Sequence, residues 1–173
     1  MSKTILSLPE SWEADLEYRL LQNHIDRCIK RAYICSPCSG ESTEAVQHNV
    51  RAARFYMYYA IMKLNMSARA PHAYLPVLLS DRIPAERALA LRFGLCFMET
   101  TNEILVCGRE ISSGMRDEIA RAAQLILPVQ VFEPDLYVDV RKIVTRTGGD
   151  KHLVTYNPQY PELSMSAAEL FAA

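Results

Sequence analysis

The chain has 173 residues, half of them hydrophobic and 23% charged, the size and balance of one folded domain with a substantial core. Nineteen Lys and Arg against twenty Asp and Glu leave a formal charge of -1, so no bulk positive field exists to hold nucleic acid or an anionic membrane. Charge interrupts every apolar stretch within about ten residues, well short of the roughly 20 that a membrane-spanning helix needs.

The opening MSKTILSLPE lacks the long apolar region and small-residue cleavage site of a signal peptide. Trp12, Leu16, Leu20, Leu21, Ile25 and Cys28 then recur every three or four residues, which predicts a helix over about 12–30. Residues 32–35, Ala-Tyr-Ile-Cys, form a continuous apolar run closed by Pro37 and Gly40, the pattern of a strand buried on both faces. After the turn-forming SPCSGES, Thr43 is a candidate N-cap, and Val46, Val50, Ala53, Met57, Ile61 and Leu64 advance at helical spacing to Asn65. Ser67–Ala70 reads as a short strand ending at Pro71-His72. A helix is expected from Pro84, a favourable first-turn residue, through Leu89, Phe93, Cys96 and Phe97 to about Thr100. Ile104–Cys107 is the next buried strand, stopped by Gly108. Ser113 opens a helix with Met115, Ile119, Ala122 and Ile126 on one face, and Val129–Phe132 is a fourth strand. Beyond Phe132, Pro134, Gly148-Gly149, Pro158 and Pro161 break the tail into short pieces, an appendage or a dimer arm.

Strands alternating with helices imply a parallel sheet covered on both faces, with ligands bound beyond the carboxyl ends of its strands. The loops that matter are therefore Ser36-Pro37-Cys38-Ser39-Gly40 after the first strand, Pro71–Pro76 after the second, and Gly108–Met115 after the third. In the third, Ser112 or Ser113 can cap the helix, Gly114 admits close approach of a ligand, and the free N–H groups with Arg116 suit an anion such as phosphate. The same residues also have a purely structural explanation, because Ser-Gly openings stabilise many helices without a ligand. His72 can hydrogen-bond a base or phosphate, or a loop carbonyl. Asn49 reaches toward the same loop or a neighbouring subunit's site, or stands exposed on its helix. Tyr56, Tyr58 and Tyr59 point in different directions and suit a core or an oligomer interface better than a stacking platform.

Cys35-Ser36-Pro37-Cys38 has the C-x-P-C pattern of thioredoxin-like redox proteins, but Cys35 ends a buried strand instead of opening a helix. Zinc on Cys35, Cys38, His72 and Cys107 lacks the second paired spacing of a structural site, so neither a metal nor a cofactor is expected. Five cysteines, an odd number lying mostly in apolar runs, predict reduced thiols and a cytoplasmic protein.

Y-I-C-S-P at residues 33–37, Asn49, Pro71-His72, Glu86-Arg87, N-E-I-L-V-C-G at 102–108 and I-S-S-G-M-R-D-E-I-A-R-A-A at 111–123 together resemble the nucleoside 2-deoxyribosyltransferase-like superfamily, especially a small branch common in phages and mobile elements of Gram-positive bacteria. The resemblance covers about residues 31–132, leaving 1–30 as an N-terminal helical extension and 133–173 as a C-terminal extension. It implies a flavodoxin-like or Rossmann-like α/β sheet, usually oligomeric, with a nucleoside or nucleotide in the crevice. It also implies N-glycosidic exchange or hydrolysis with Glu118 as nucleophile, and Ser36, Pro37, Asn49, His72, Gly108, Arg109, Ser112, Ser113, Gly114, Met115 and Arg116 around the ligand. Two departures stand out: Asn102 and Glu103 replace the Asp many relatives carry before the third strand, and Gly114-Met115 replaces Gly-Thr. The second, with Arg116, favours a phosphorylated ligand. The alternative is a non-catalytic protein that sequesters a nucleotide signal of the cyclic ADP-ribose kind.

Overall fold

The structure, a computed structural model, describes residue 19, residues 30–80 and residues 82–158. Apart from Arg19, the helix expected over about 12–30 lies outside the described residues. Strand β1 (Lys30–Cys35) is the apolar run of residues 32–35 extended backward by two exposed basic residues. It pairs in parallel with β2 (Met66–Arg69) on one side and β3 (Glu103–Val106) on the other. Strands β4 (Val129–Val131) and β5 (Val154–Tyr156) continue from β3, giving one all-parallel sheet in the order β2-β1-β3-β4-β5. This is the flavodoxin-like order, which reverses direction between β1 and β3 and opens a crevice beyond the carboxyl ends of those two strands.

Helix α1 (Thr43–Leu64) joins β1 to β2. Its N-cap is Ser42, one residue before the Thr43 the sequence suggested: Ser42 has extended backbone angles, and its side chain accepts a hydrogen bond from the Ala45 N–H at 3.2 Å. A 3-10 turn at Pro71–Ala73, a short α2 (Leu75–Leu78) and α3 (Pro84–Glu99) lead to β3, and α4 (Ser113–Gln124) leads to β4. Among the described residues no helix is long and apolar enough to cross a membrane.

The tail beyond Phe132 is not an appendage. Helix α5 (Pro134–Arg146) buries Leu136, Val140 and Val144 at four-residue spacing, and β5 follows as the fifth parallel strand. Pro134 begins this helix instead of breaking it, because a first-turn proline forfeits only a backbone N–H that has no intrahelical acceptor. Gly148, with φ of 80°, closes α5 in a Schellman arrangement: the Gly149 N–H bonds the Val144 carbonyl and the Gly148 N–H bonds that of Thr145.

Helix α4 ends in the same hydrogen-bond pattern, Leu127 to Ala122 and Ile126 to Ala123, but with Ile126 at φ of 57° where α5 has glycine. A β-branched residue in the left-handed region is strained, and Ile126 is 74% exposed, so little packing compensates. Replacing Ile126 by Gly is therefore expected to stabilise the fold by ~0.5–1 kcal/mol, raising the melting temperature by a few degrees. A calorimetric scan showing no rise would exclude strain at this helix end.

Side chains alternate across the strands. Ala32, Ile34, Ala68, Leu105 and Phe132 face α1, where Ala52, Ala53, Phe55, Tyr56 and Ala60 meet them. Tyr33, Cys35, Ile104, Val106, Val129 and Val131 face the other side, against Met98, Met115, Ile119, Ala122, Val140 and Val144. Tyr58 is 44% exposed and Tyr59 half-buried, so the tyrosine cluster divides between core and surface.

Candidate functional site

A cavity of about 380 Å³ sits at the reversal point, bounded by the loop after β1, the Pro71–Ala73 turn, α2, α3 and the first turns of α4. Its wall toward α2 and α3 is apolar, with Leu75, Leu79, Leu91, Leu95 and Met98. Tyr33, Ser36, His72, Ser112, Asp117 and Glu118 supply its polar side.

Glu118 follows Met115 by three residues and precedes Ile119, so the buried stripe of α4 carries its carboxyl against β1. There the Tyr33 hydroxyl, on the same sheet face as α4, donates to Glu118 Oε1 at 2.7 Å. Gly94 makes room for this hydroxyl, since a Cβ at that position would stand 3.3 Å from it. Burial pushes the Glu118 carboxyl up to about 7; hydrogen bonds from Tyr33 and Cys35 pull it back toward ionisation, and the neighbouring Asp117 charge adds to the rise. The Tyr33 phenol and the Cys35 thiol are both raised by burial, with the Glu118 charge adding to each, so both groups keep their protons. Tyr33→Phe removes a donor that favours the carboxylate. The apparent Glu118 pKa should climb by ~0.5–1 unit, the equivalent of one hydrogen bond, as read by carbon NMR of the labelled side chain. A downward shift would contradict this geometry.

Across the cavity, Ser36 Oγ and His72 Nε2 lie 2.8 Å apart, which ties the turn after β2 to the end of β1. Burial drives the His72 imidazole down to about 4, so it is neutral at physiological pH. A second surface depression, of about 400 Å³ and lined by Val138, Arg141, Lys142, Thr145, Arg146 and Lys151, is more open and gathers none of these groups.

The sequence model of a protein family described as a domain of unknown function (DUF7768) matches residues 30–132. The chain belongs to the DUF7768 family. No curated protein and no solved structure matches it significantly. All the cavity residues of this DUF7768 protein lie inside the matched span, whereas α5 and β5 lie beyond it.

Of the residues expected around a ligand, the DUF7768 domain brings Ser36, His72, Ser112, Ser113, Gly114, Met115 and Glu118 to the cavity. Ser112 also caps α4, accepting from the Met115 N–H at 3.3 Å, and a Cβ on Gly114 would meet nothing within 4 Å. Asn49 supports the site indirectly, its amide donating to the Ser39 carbonyl at 3.0 Å. Pro37 packs on Gly108, whose φ of 103° turns the chain after β3; neither lines the cavity. Arg109 is exposed and acts on the Tyr56 phenol of the opposite sheet face. Arg116 is exposed and outside the lining, a correction to its expected place beside a ligand, and Arg87 is the arginine at the cavity. Helix periodicity fixes which residues share a stripe but not which loop the stripe faces, so no local pattern places Arg87, Asp117 and Tyr33 at one cavity.

Asn102 and Glu103 mark the opposite, amino end of β3. Asn102 clamps β1 through Arg31, accepting its N–H and donating to its carbonyl, both at 2.8 Å. Glu103 is buried beside Lys30 and accepts from Gln130. Neither can reach a ligand at the carboxyl end. Cys35 is fully buried and its thiol is held in the protonated form, which removes it as a redox nucleophile. Among the described residues no three His, Cys, Asp or Glu side chains gather as a metal site.

Proposed function

We propose that this protein binds a nucleoside or nucleotide derivative in the cavity and exchanges or hydrolyses its N-glycosidic bond, with Glu118 as nucleophile. The observation that carries this reading is the half-buried Glu118 carboxyl, held by Tyr33 inside a cavity of about 380 Å³ at the reversal point of a flavodoxin-like sheet. The ionised carboxylate attacks the anomeric carbon, and water or a second base then displaces it, so the sugar keeps its configuration. Ser36 and His72 offer neutral hydrogen bonds to the sugar or base, and a phosphate is served by the Ser112-Ser113-Gly114 turn with Arg87 in place of Arg116. The test is release of free base from a panel of nucleosides and nucleotides, followed chromatographically. Tight binding with every ligand recovered intact would instead establish a sequestering protein.

The protein is further proposed to act as a homo-oligomer. Helix α3 leaves large apolar side chains in the open, with Leu89 and Phe93 each 45% exposed one turn apart, and such a face is normally covered. Phe93→Glu is expected to shift the mass measured by light scattering to that of a monomer. A wild-type chain that is already monomeric at high concentration would end this part of the proposal.

A further inference from the structure

Glu118 is a half-buried carboxyl in the cavity with no cation beside it among the described residues. The Tyr33 phenol donates to it, the neighbouring Asp117 is a like charge, and among the described residues no cation pairs with it. Among the described residues the cavity carries the carboxyl groups of Asp117 and Glu118 against the guanidinium of Arg87. Buried carboxylates are normally paired, because an isolated one loses its hydration without replacement. Here no described residue supplies the missing positive charge.

The leaving base poses a second requirement. A neutral purine or pyrimidine departs as an anion unless an acid protonates it. His72 is neutral and already bonded to Ser36. Asp117 is exposed. Asn102 and Glu103, at the positions where many relatives carry an Asp, sit at the far end of β3. A base with a fixed positive charge on its glycosidic nitrogen needs no acid, since it departs neutral.

From this unpaired carboxylate and the lack of a placed acid among the described residues, we infer that the cavity takes a cationic N-glycoside, a riboside or ribonucleotide of a quaternary, pyridinium-type base. This rests on the N-glycosidic reading above and narrows its substrate class. A Glu118 carboxylate oxygen attacks the anomeric carbon. The carbon–nitrogen electron pair moves onto the ring nitrogen, cancels its charge, and the base leaves without a proton. Water then attacks the anomeric carbon of the glycosyl ester, Glu118 leaves as carboxylate, and the proton of the water passes to solvent.

The test uses the full chain with nicotinamide riboside as the pyridinium probe and inosine and cytidine as neutral ones, wild type beside Glu118→Gln. General acid catalysis contributes about 10²–10⁴-fold to such reactions, so kcat/KM for the pyridinium riboside should exceed that for the neutral nucleosides by at least about 100-fold. Glu118-dependent cleavage of neutral nucleosides at a comparable rate would overturn the inference and leave the glycosidic reading standing. No Glu118-dependent release from any probe would overturn both. Binding gives an independent readout: the wild type should hold the pyridinium riboside more tightly than its uncharged dihydro form, and Glu118→Gln should erase that preference. Equal affinity of the wild type for the two forms would count against the inference.

Discussion

Glu118→Gln should reduce base release by at least about 10³-fold while leaving the fold intact, because the amide keeps the shape of the side chain but cannot attack an anomeric carbon. The pH dependence follows from the same residue. Burial and Asp117 raise the Glu118 carboxyl to about 7 against the pull of Tyr33 and Cys35. Only the ionised form is nucleophilic, so kcat/KM should rise about tenfold per unit of pH below that value and level off above it. Stability runs the other way. A carboxyl whose folded pKa is raised above the ordinary 4.5 contributes stability fully present below 4.5, and that contribution is lost as pH rises through about 7. Glu118→Gln should therefore melt higher than the wild type near about pH 8, by several degrees, and close to it near about pH 4. Retained turnover in the variant, or a rate flat between about pH 5.5 and 8, would remove Glu118 from the chemistry.

A chain ended at Phe132, the last residue of the family match, is expected not to fold. The truncation removes Leu136, Val140, Val144 and Val154, all buried against β4 and α4. Each is worth roughly 1.5–3 kcal/mol of apolar burial, and together they rival the about 5–15 kcal/mol of a typical domain. It also converts β4 from an interior strand, paired with β3 and β5, into an open edge. Circular dichroism of the truncated chain should show no cooperative melt, whereas a chain ended at Pro158 should retain one. A cooperative transition in the shorter chain near the full-length temperature would show that α5 and β5 are dispensable.

Much of the site was open to inspection before the fold. Small-residue turns and helix caps are local signals, so the chemistry of Ser112, Ser113 and Gly114 followed from their neighbours in sequence. The pairing of Ser36 with His72 was not local: they are 36 positions apart, and only the β1–β2 register brings them within 2.8 Å. Tyr33 was legible as a buried strand residue, but its partner depended on which helix covered its face of the sheet. Arg116 shows the converse. Proximity in sequence to a ligand loop suggested contact, yet on a helix its direction is set by rotation about the axis, and that rotation is fixed by Met115 and Ile119 packing into the core.

By itself the sequence determined a parallel α/β domain of near-zero net charge, because alternating apolar runs and amphipathic helices admit few other arrangements. It misplaced the end of that domain, since Pro134 and Gly148 read as breakers until their positions at the start and end of α5 were known. Tertiary structure alone decided the strand order, and with it the place of the cavity. It also decided that Arg87 and Asp117 share that cavity with Glu118, while Arg116, Asn102 and Glu103 do not. These are relations between residues distant in the chain, governed by which faces must be buried together, and no local pattern of residues encodes them.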